Sequence, residues 1–177
     1  SFHGKSSVAD DRLRHIASMD IGSQFLPTLA NKMQAHLLSV RGLGRKCIVL
    51  DLDNTLWGGI VGEDGPDGIQ LGPEFPGSAF VEFQHSLLSI QRRGVLLAIN
   101  SKNNEQDALE ILEKHPAMVL RPEHFAASRI NWIDKCQNIE SISDELNLGL
   151  ESMAFVDDNP AERELMRRLR PEVLTPE

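Results

Sequence analysis

The stretch KCIVLDLDNTLWGGIVGEDG, residues 46–65, decides the fold. Cys47, Ile48, Val49 and Leu50 form a short apolar run of the kind a buried strand needs. The run ends directly on Asp51, and a second aspartate follows at Asp53. Two like charges roughly 4 Å apart repel by about 1 kcal/mol in water and about 4 kcal/mol at an effective dielectric of 20. A buried strand that delivers two carboxylates to one spot therefore implies a cation or a chemical step that uses them.

Working outward, the chain alternates strands and helices. Upstream, residues 8–40 read as helical, with Leu26, Leu29, Met33 and Leu37 at three- and four-residue steps and Pro27 marking a helix start or break. Downstream of a Gly- and Pro-rich loop over 58–78, Phe80, Phe83, Leu87 and Ile90 make an apolar helical stripe that Gly94 ends. VLLAI, 95–99, predicts a strand buried on both faces. A helix over about 103–114 follows, with Ala108, Leu109, Ile111 and Leu112 inward, and then a short strand at Met118–Leu120. A helix over 134–146 places Ile139, Ile142 and Leu146 on one face. SMAFV, 152–156, is a strand, 160–169 a helix, and Val173-Leu174 a last short strand. Such alternation predicts an α/β domain with a central parallel sheet.

Ligands of parallel α/β sheets sit at the carboxyl ends of the strands. Asp51 and Asp53 follow the first strand, Asn100 and Ser101 the second, and Asp157 and Asp158 the fourth. Asp51, Asp53 and one or both of Asp157 and Asp158 offer the hard oxygens that suit Mg²⁺. Asp51 is then placed to attack phosphorus as a nucleophile. Asp53 is in reach to protonate the leaving oxygen and later activate water. Ser101 and Lys135 could grip phosphoryl oxygens, the lysine supplying positive charge.

These residues carry a resemblance. DLDNTLW, the Ser101 hydroxyl, Lys135 and VDDNP occur in the order of the four motifs of the haloacid dehalogenase (HAD) superfamily. DLDNTLWGGIVGEDG, SKNNE, INWIDKCQNI and FVDDNPAERE together resemble its FkbH-like branch, over roughly residues 25–177. That resemblance implies a HAD-type Rossmann-like three-layer sandwich with little or no cap, and a segment 1–24 that is a linker edge with some helix. It also implies an enzyme of polyketide biosynthesis that dephosphorylates 1,3-bisphosphoglycerate, or a related phosphoglycerate. The glyceryl unit would then pass to the phosphopantetheine thiol of an acyl carrier protein. Asp51, Asp53, Asn100, Ser101 and Lys135 would be catalytic, Thr55, Trp57, Ser101 and Lys135 would contact substrate, and Asp51, Asp53, Asp157 and Asp158 would hold Mg²⁺.

One position departs from that pattern. Glyceryl-transferring members commonly read CSKN, whereas this chain reads NSKN, with Asn100 where the thioester-forming thiol would be. An amide cannot form a thioester. Asn100 is expected to face the substrate skeleton, either as an altered position or with Cys136 taking the thiol's place. The alternatives to glyceryl transfer are a plain small-molecule phosphatase and a non-catalytic carrier-docking module.

Several residues have plainer readings. An aspartate after a strand is often a cap or turn former, and Ser101 could cap the next helix. Lys102 reads as a surface lysine. Trp57 and GGIVGEDG make either a hairpin or a flap over the site. Arg163, Arg167, Arg168 and Arg170 give the last helix a basic side, either solvated or a dock for an acidic carrier.

Bulk composition narrows the classes. The chain has 177 residues, 41% hydrophobic and 25% charged, which fits one soluble globular domain with a real core. A net charge of −8 speaks against the broad basic surface of a nucleic-acid binder. The opening SFHGKSS reads as a linker edge with no signal-peptide pattern, and no run approaches the roughly 20 apolar residues of a membrane span. Two cysteines, Cys47 and Cys136, make neither a disulfide scaffold nor a zinc site, so a reduced, cytoplasmic setting is expected.

Overall fold

The computed structural model describes residues 44–176. The helix expected over 8–40 and the boundary at 24 lie outside them.

Strand β1 is Cys47–Leu50, as its apolar run predicts. The chain then turns through a short helix α1, Val61–Asp64, into the long helix α2, Gly77–Gln91. Strand β2, Leu96–Ser101, and helix α3, Glu105–Lys114, come next. Strand β3 is Phe125–Ile130, helix α4 Lys135–Leu146, strand β4 Met153–Val156 and helix α5 Pro160–Leu169. The four strands are parallel and ordered β3-β2-β1-β4.

Side-chain alternation along the strands splits the core in two. Leu50, Leu97 and Ile99 face one side, where Leu87 of α2 and Ala108, Ile111 and Leu112 of α3 close over them. Cys47, Val49, Ala98, Met153 and Phe155 face the other, against Ile139 and Ile142 of α4 and Met166 of α5. The result is a three-layer α/β sandwich. Among the described residues, the connection from β1 to α2 contains only the four-residue α1 as a helix, so no cap domain is inserted there.

The strand order places the site. From β1 the chain moves outward to β2 and β3, then returns to β4 on the opposite side of β1. The order reverses at the β1–β4 pair, and ligands of open α/β sheets bind outside the carboxyl ends at such a point. Leu50 pairs with Val156 there, so Asp51 and Asp157 emerge side by side.

Three sequence expectations need correction. Met118–Leu120 is not a strand. Both residues are buried in the core, but the Val119 and Leu120 amides donate to Oε1 of Gln84 at 2.8 and 3.1 Å instead of to a neighbouring strand. The true third strand, β3, escapes a periodicity reading because it is an edge strand, with only Ala127 and Ile130 fully buried. Val173-Leu174 forms a single parallel bridge, Ala154 to Leu174, not a strand of its own. Finally, β2 begins at Leu96 and runs on through Asn100 and Ser101, which are therefore strand residues.

Gln84 is a buried polar tie between segments. Fully buried on α2, it also donates from Nε2 to the Leu56 carbonyl at 2.7 Å. Gln84→Met strips partners from three backbone groups, each of which costs free energy if left unpaired. We expect it to lower stability by about 2–3 kcal/mol, measured as a lower urea midpoint with an unchanged slope.

Candidate active site

Asp51 leaves β1 with its amide still bonded to the Val156 carbonyl of β4 at 3.0 Å. Leu52 then closes a tight turn, its carbonyl accepting from the Thr55 and Leu56 amides. Asn54 takes the left-handed conformation that asparagine tolerates, with φ of 53°, and its Oδ1 accepts from the Gly59 amide. That curl carries the Trp57 indole back over Asp53, where Nε1 donates to Oδ1 at 2.9 Å. Gly58 pairs with Gln70, and a Cβ on it would lie 2.9 Å from the Phe80 ring; Gly59 has φ of +94°. The two glycines let GGIVGEDG fold back as a hairpin-like loop that brings Ile60 to the edge of the site.

The centre is a buried ion-pair cluster. Lys135, the first residue of α4, is 3% exposed, with Nζ 3.0 Å from Asp51 Oδ1 and 2.6 Å from Asp157 Oδ2. The other Asp157 oxygen accepts from the Asn159 amide at 2.9 Å. Asp51 Oδ1 is buried and, beyond that ionic contact, has no hydrogen-bond partner. One oxygen each from Asp51, Asp157 and Asp158 fall within 4.8 Å of one another. Two carboxylates thus share one ammonium, with a third close beside them. Asp51 lies at the floor of a cleft of about 400 Å³, also lined by Asp53, Ser101, Lys102, Trp132 and Asp158.

The electrostatics follow from burial. Desolvation pushes the Asp51 carboxyl above its ordinary range, and the Lys135 charge and the Ser101 hydroxyl offset this only in part. Asp157 rises by burial and then by the nearby Asp51 charge. Asp158 rises by burial and then by Asp157. Burial works against the charge on Lys135, but Asp51 and Asp157 outweigh it and its pKa is raised, so it stays protonated. Three carboxylates gathered beside one ammonium leave excess negative charge, which fits a small hard cation.

Asp53 stands apart from that cluster, although the sequence reading included it among the metal-holding side chains. Its Oδ1 accepts from Trp57 and from the Val61 amide at 3.2 Å, and its Oδ2 accepts from Asn103 Nδ2 at 2.9 Å. Burial raises its pKa while these donors hold it back. A half-buried carboxyl that lines the cleft and is fixed by three donors is arranged for proton transfer.

Three site expectations change, and the alternative at Cys136 falls away. Asn100 does not line the cleft. Alternation along β2 turns its fully buried side chain to the α4 face, where Nδ2 donates to the Lys135 carbonyl at 2.9 Å and Oδ1 accepts from Asn138 at 3.1 Å. Trp57 is fully buried, where it orients Asp53, and it does not line the cleft. Thr55 is also buried, its hydroxyl without a partner, and it does not line the cleft. Cys136 packs its thiol 4.0 Å from the Met166 sulfur, and burial pushes its pKa up to about 11, which leaves no nucleophilic thiolate.

Other residues emerge only from the structure. Lys102, expected on the surface, lines the cleft and pairs with Glu162. Asn103 and Trp132, inside SKNNE and INWIDKCQNI but given no role by the sequence reading, join the site as a donor to Asp53 and as a wall of the cleft. The basic face of α5 is largely spent internally: Arg163 donates to the Asp157 and Asp158 carbonyls, Arg167 to those of Thr175 and Pro176, and Arg170 pairs with Glu140.

Fold and site together define the class: residues 44–176 adopt the α/β Rossmann-like HAD fold. The chain is similar to the N-terminal part of the protein BF1531 from Bacteroides fragilis, which contains a phosphatase domain and was solved with Mg. The two are 39% identical with a TM-score of 0.83, over 98% of this chain and 46% of that one. The chain thus spans about half the length of that relative. A HAD family enzyme from Bacteroides thetaiotaomicron, bt-2542, solved with magnesium and inorganic phosphate, shares the fold at 13% identity and a TM-score of 0.51, over 75% of this chain and 93% of that one. No family model matches the chain, and no curated protein does.

Asn100→Cys tests the orientation of position 100. The new thiol should resist alkylation in the folded chain, as should Cys47 and Cys136, and all should label once urea is added. Losing the amide should also lower stability by about 1–3 kcal/mol, because the Lys135 carbonyl and the Asn138 side chain each lose a buried hydrogen bond.

Proposed function

We propose that this chain is a Mg²⁺-dependent phosphohydrolase that works through an aspartyl-phosphate intermediate on Asp51. The observation that carries the reading is Lys135, held between Asp51 and Asp157 at the floor of an open cleft, with Asp158 close beside them. Asp51, Asp157 and Asp158 would hold the metal, which when bound would neutralise carboxylate charge and draw in the phosphoryl group.

The residues then divide the work. An Asp51 oxygen attacks phosphorus as the bond to the leaving oxygen breaks. Asp53, in its neutral form, donates its proton to that oxygen. As a carboxylate it then takes a proton from water, whose oxygen attacks the same phosphorus and releases Asp51 and phosphate. Ser101 and Lys135 hold the phosphoryl oxygens through the transfer.

The finer reading is removal of phosphate from 1,3-bisphosphoglycerate or a related phosphoglycerate, and delivery of a glyceryl unit to an acyl carrier protein. Its support is the motif resemblance to FkbH-like proteins. Against the acyl step, among the described residues neither cysteine lines the cleft, and Asn100 points away from it. Hydrolysis is therefore the better supported outcome. A purely non-catalytic docking role would leave the buried cluster of Asp51, Lys135 and Asp157 without a use.

Asp51→Asn should abolish phosphate release from a generic phosphomonoester in a colorimetric assay; retained activity within about tenfold would refute the nucleophile. Asp53→Asn should slow turnover by about 10²–10⁴-fold while leaving substrate affinity nearly intact. Chelation should silence the enzyme and added Mg²⁺ should restore it. Turnover in a fully chelated sample would refute the metal requirement.

A further inference from the structure

The acidic loop after β4 is held from outside the cleft. Asp157 and Asp158 lie between the end of β4 at Val156 and the start of α5 at Pro160. The Asp157 carboxylate has two supports, Lys135 Nζ and the Asn159 amide. The Asp158 carboxylate is exposed, and among the described residues no other side chain donates to it. Its direction is therefore left to the backbone that carries it. That backbone is clamped. Arg163 Nη1 donates to the Asp157 carbonyl at 2.7 Å and to the Asp158 carbonyl at 2.6 Å. Arg163 itself does not line the cleft.

Helix geometry explains the clamp. Asn159 caps α5 through its Oδ1 and the Ala161 amide, and Arg163 sits in the first turn, its own amide bonded to the Asn159 carbonyl at 3.1 Å. Long side chains on a helix slant back toward its N-terminus, which lays the guanidinium over the loop. Two successive carbonyls turned to one point repel each other unless a donor bridges them. A guanidinium does so with charge-assisted bonds, roughly twice as strong as neutral ones. We propose that Arg163 is a positioning residue of the metal centre. By pinning both carbonyls it aims the Asp157 and Asp158 carboxylates at a shared Mg²⁺, and it sets the metal affinity without touching metal or substrate. The inference rests on the metal site of the phosphohydrolase reading and adds to it a residue outside the cleft.

Calorimetric titration of the full chain with Mg²⁺ alone tests it. Arg163→Met, which keeps an unbranched stem but no donor, should weaken Mg²⁺ binding by about 10–100-fold, the usual effect of losing a group that orients metal ligands. Turnover of a phosphomonoester should return as Mg²⁺ is raised. Arg163→Lys, which keeps the charge, should fall between the two. Arg170→Met is the control for a merely structural role: it breaks the ion pair with Glu140 elsewhere on α5 and should leave Mg²⁺ affinity at the native level. If the methionine variant does not fold, Arg163→Gln carries the same expectation. Native Mg²⁺ affinity in the folded Arg163 variant, or an equal loss in Arg170→Met, overturns the inference. Asp158→Asn separates the clamp from the reading beneath it. Mg²⁺ binding that Asp158→Asn does not weaken would sink the metal site itself, whereas binding weakened by Asp158→Asn but not by Arg163→Met would sink only the clamp.

Discussion

The site depends on one ammonium buried among carboxylates. Lys135 begins α4 and lies between the ends of β1 and β4, so it ties a helix to two strands through Asp51 and Asp157. Removing the lysine would strand uncompensated carboxylates in the interior, typically a loss of about 3–5 kcal/mol. The strand register is what makes the contact possible. Leu50 sits opposite Val156, so the residue after each strand is an aspartate facing the other. One lysine cannot neutralise three carboxylates. The residual negative charge suits a small hard cation.

Behind the lysine lies a polar network that contacts no ligand. Asn138 donates to Asn100 and, at 3.0 Å, to Asn131, while Asn100 donates to the carbonyl of Lys135 itself. Burying amides is costly unless their hydrogen bonds are met, and here Asn100 and Asn138 find partners in one another. The network fixes the start of α4 against the end of β2. Asn100 thereby reaches the chemistry through the backbone of Lys135 and not through the cleft.

The cleft combines a rigid floor with an open mouth. Floor groups come from strand ends and a helix start, where backbone pairing locks their positions. Mouth groups, Lys102, Trp132 and Ile60, come from the connections after β2, β3 and β1, where side chains are more exposed. Positioned catalytic groups need the first environment, and substrate discrimination can use the second.

Much of this was legible in the residue order. Apolar runs ending in aspartate marked β1 and β4, the three- and four-residue apolar spacing marked the helices, and Asp51, Asp53, Ser101, Lys135, Asp157 and Asp158 stood out because their chemistry makes sense only when gathered. These signals are local: a strand or an amphipathic helix writes its period into its own residues. Edge strand β3 wrote almost none, and the buried Met118 and Leu120 imitated a strand because burial alone resembles one. The direction of Asn100, the interior placement of Trp57 and the pairing of Lys102 with Glu162 had no local signature. Strand parity, the curl after Asp51 and the docking of α5 across the sheet decided them, because a side chain's partners are set by which elements meet and not by its neighbours in the chain.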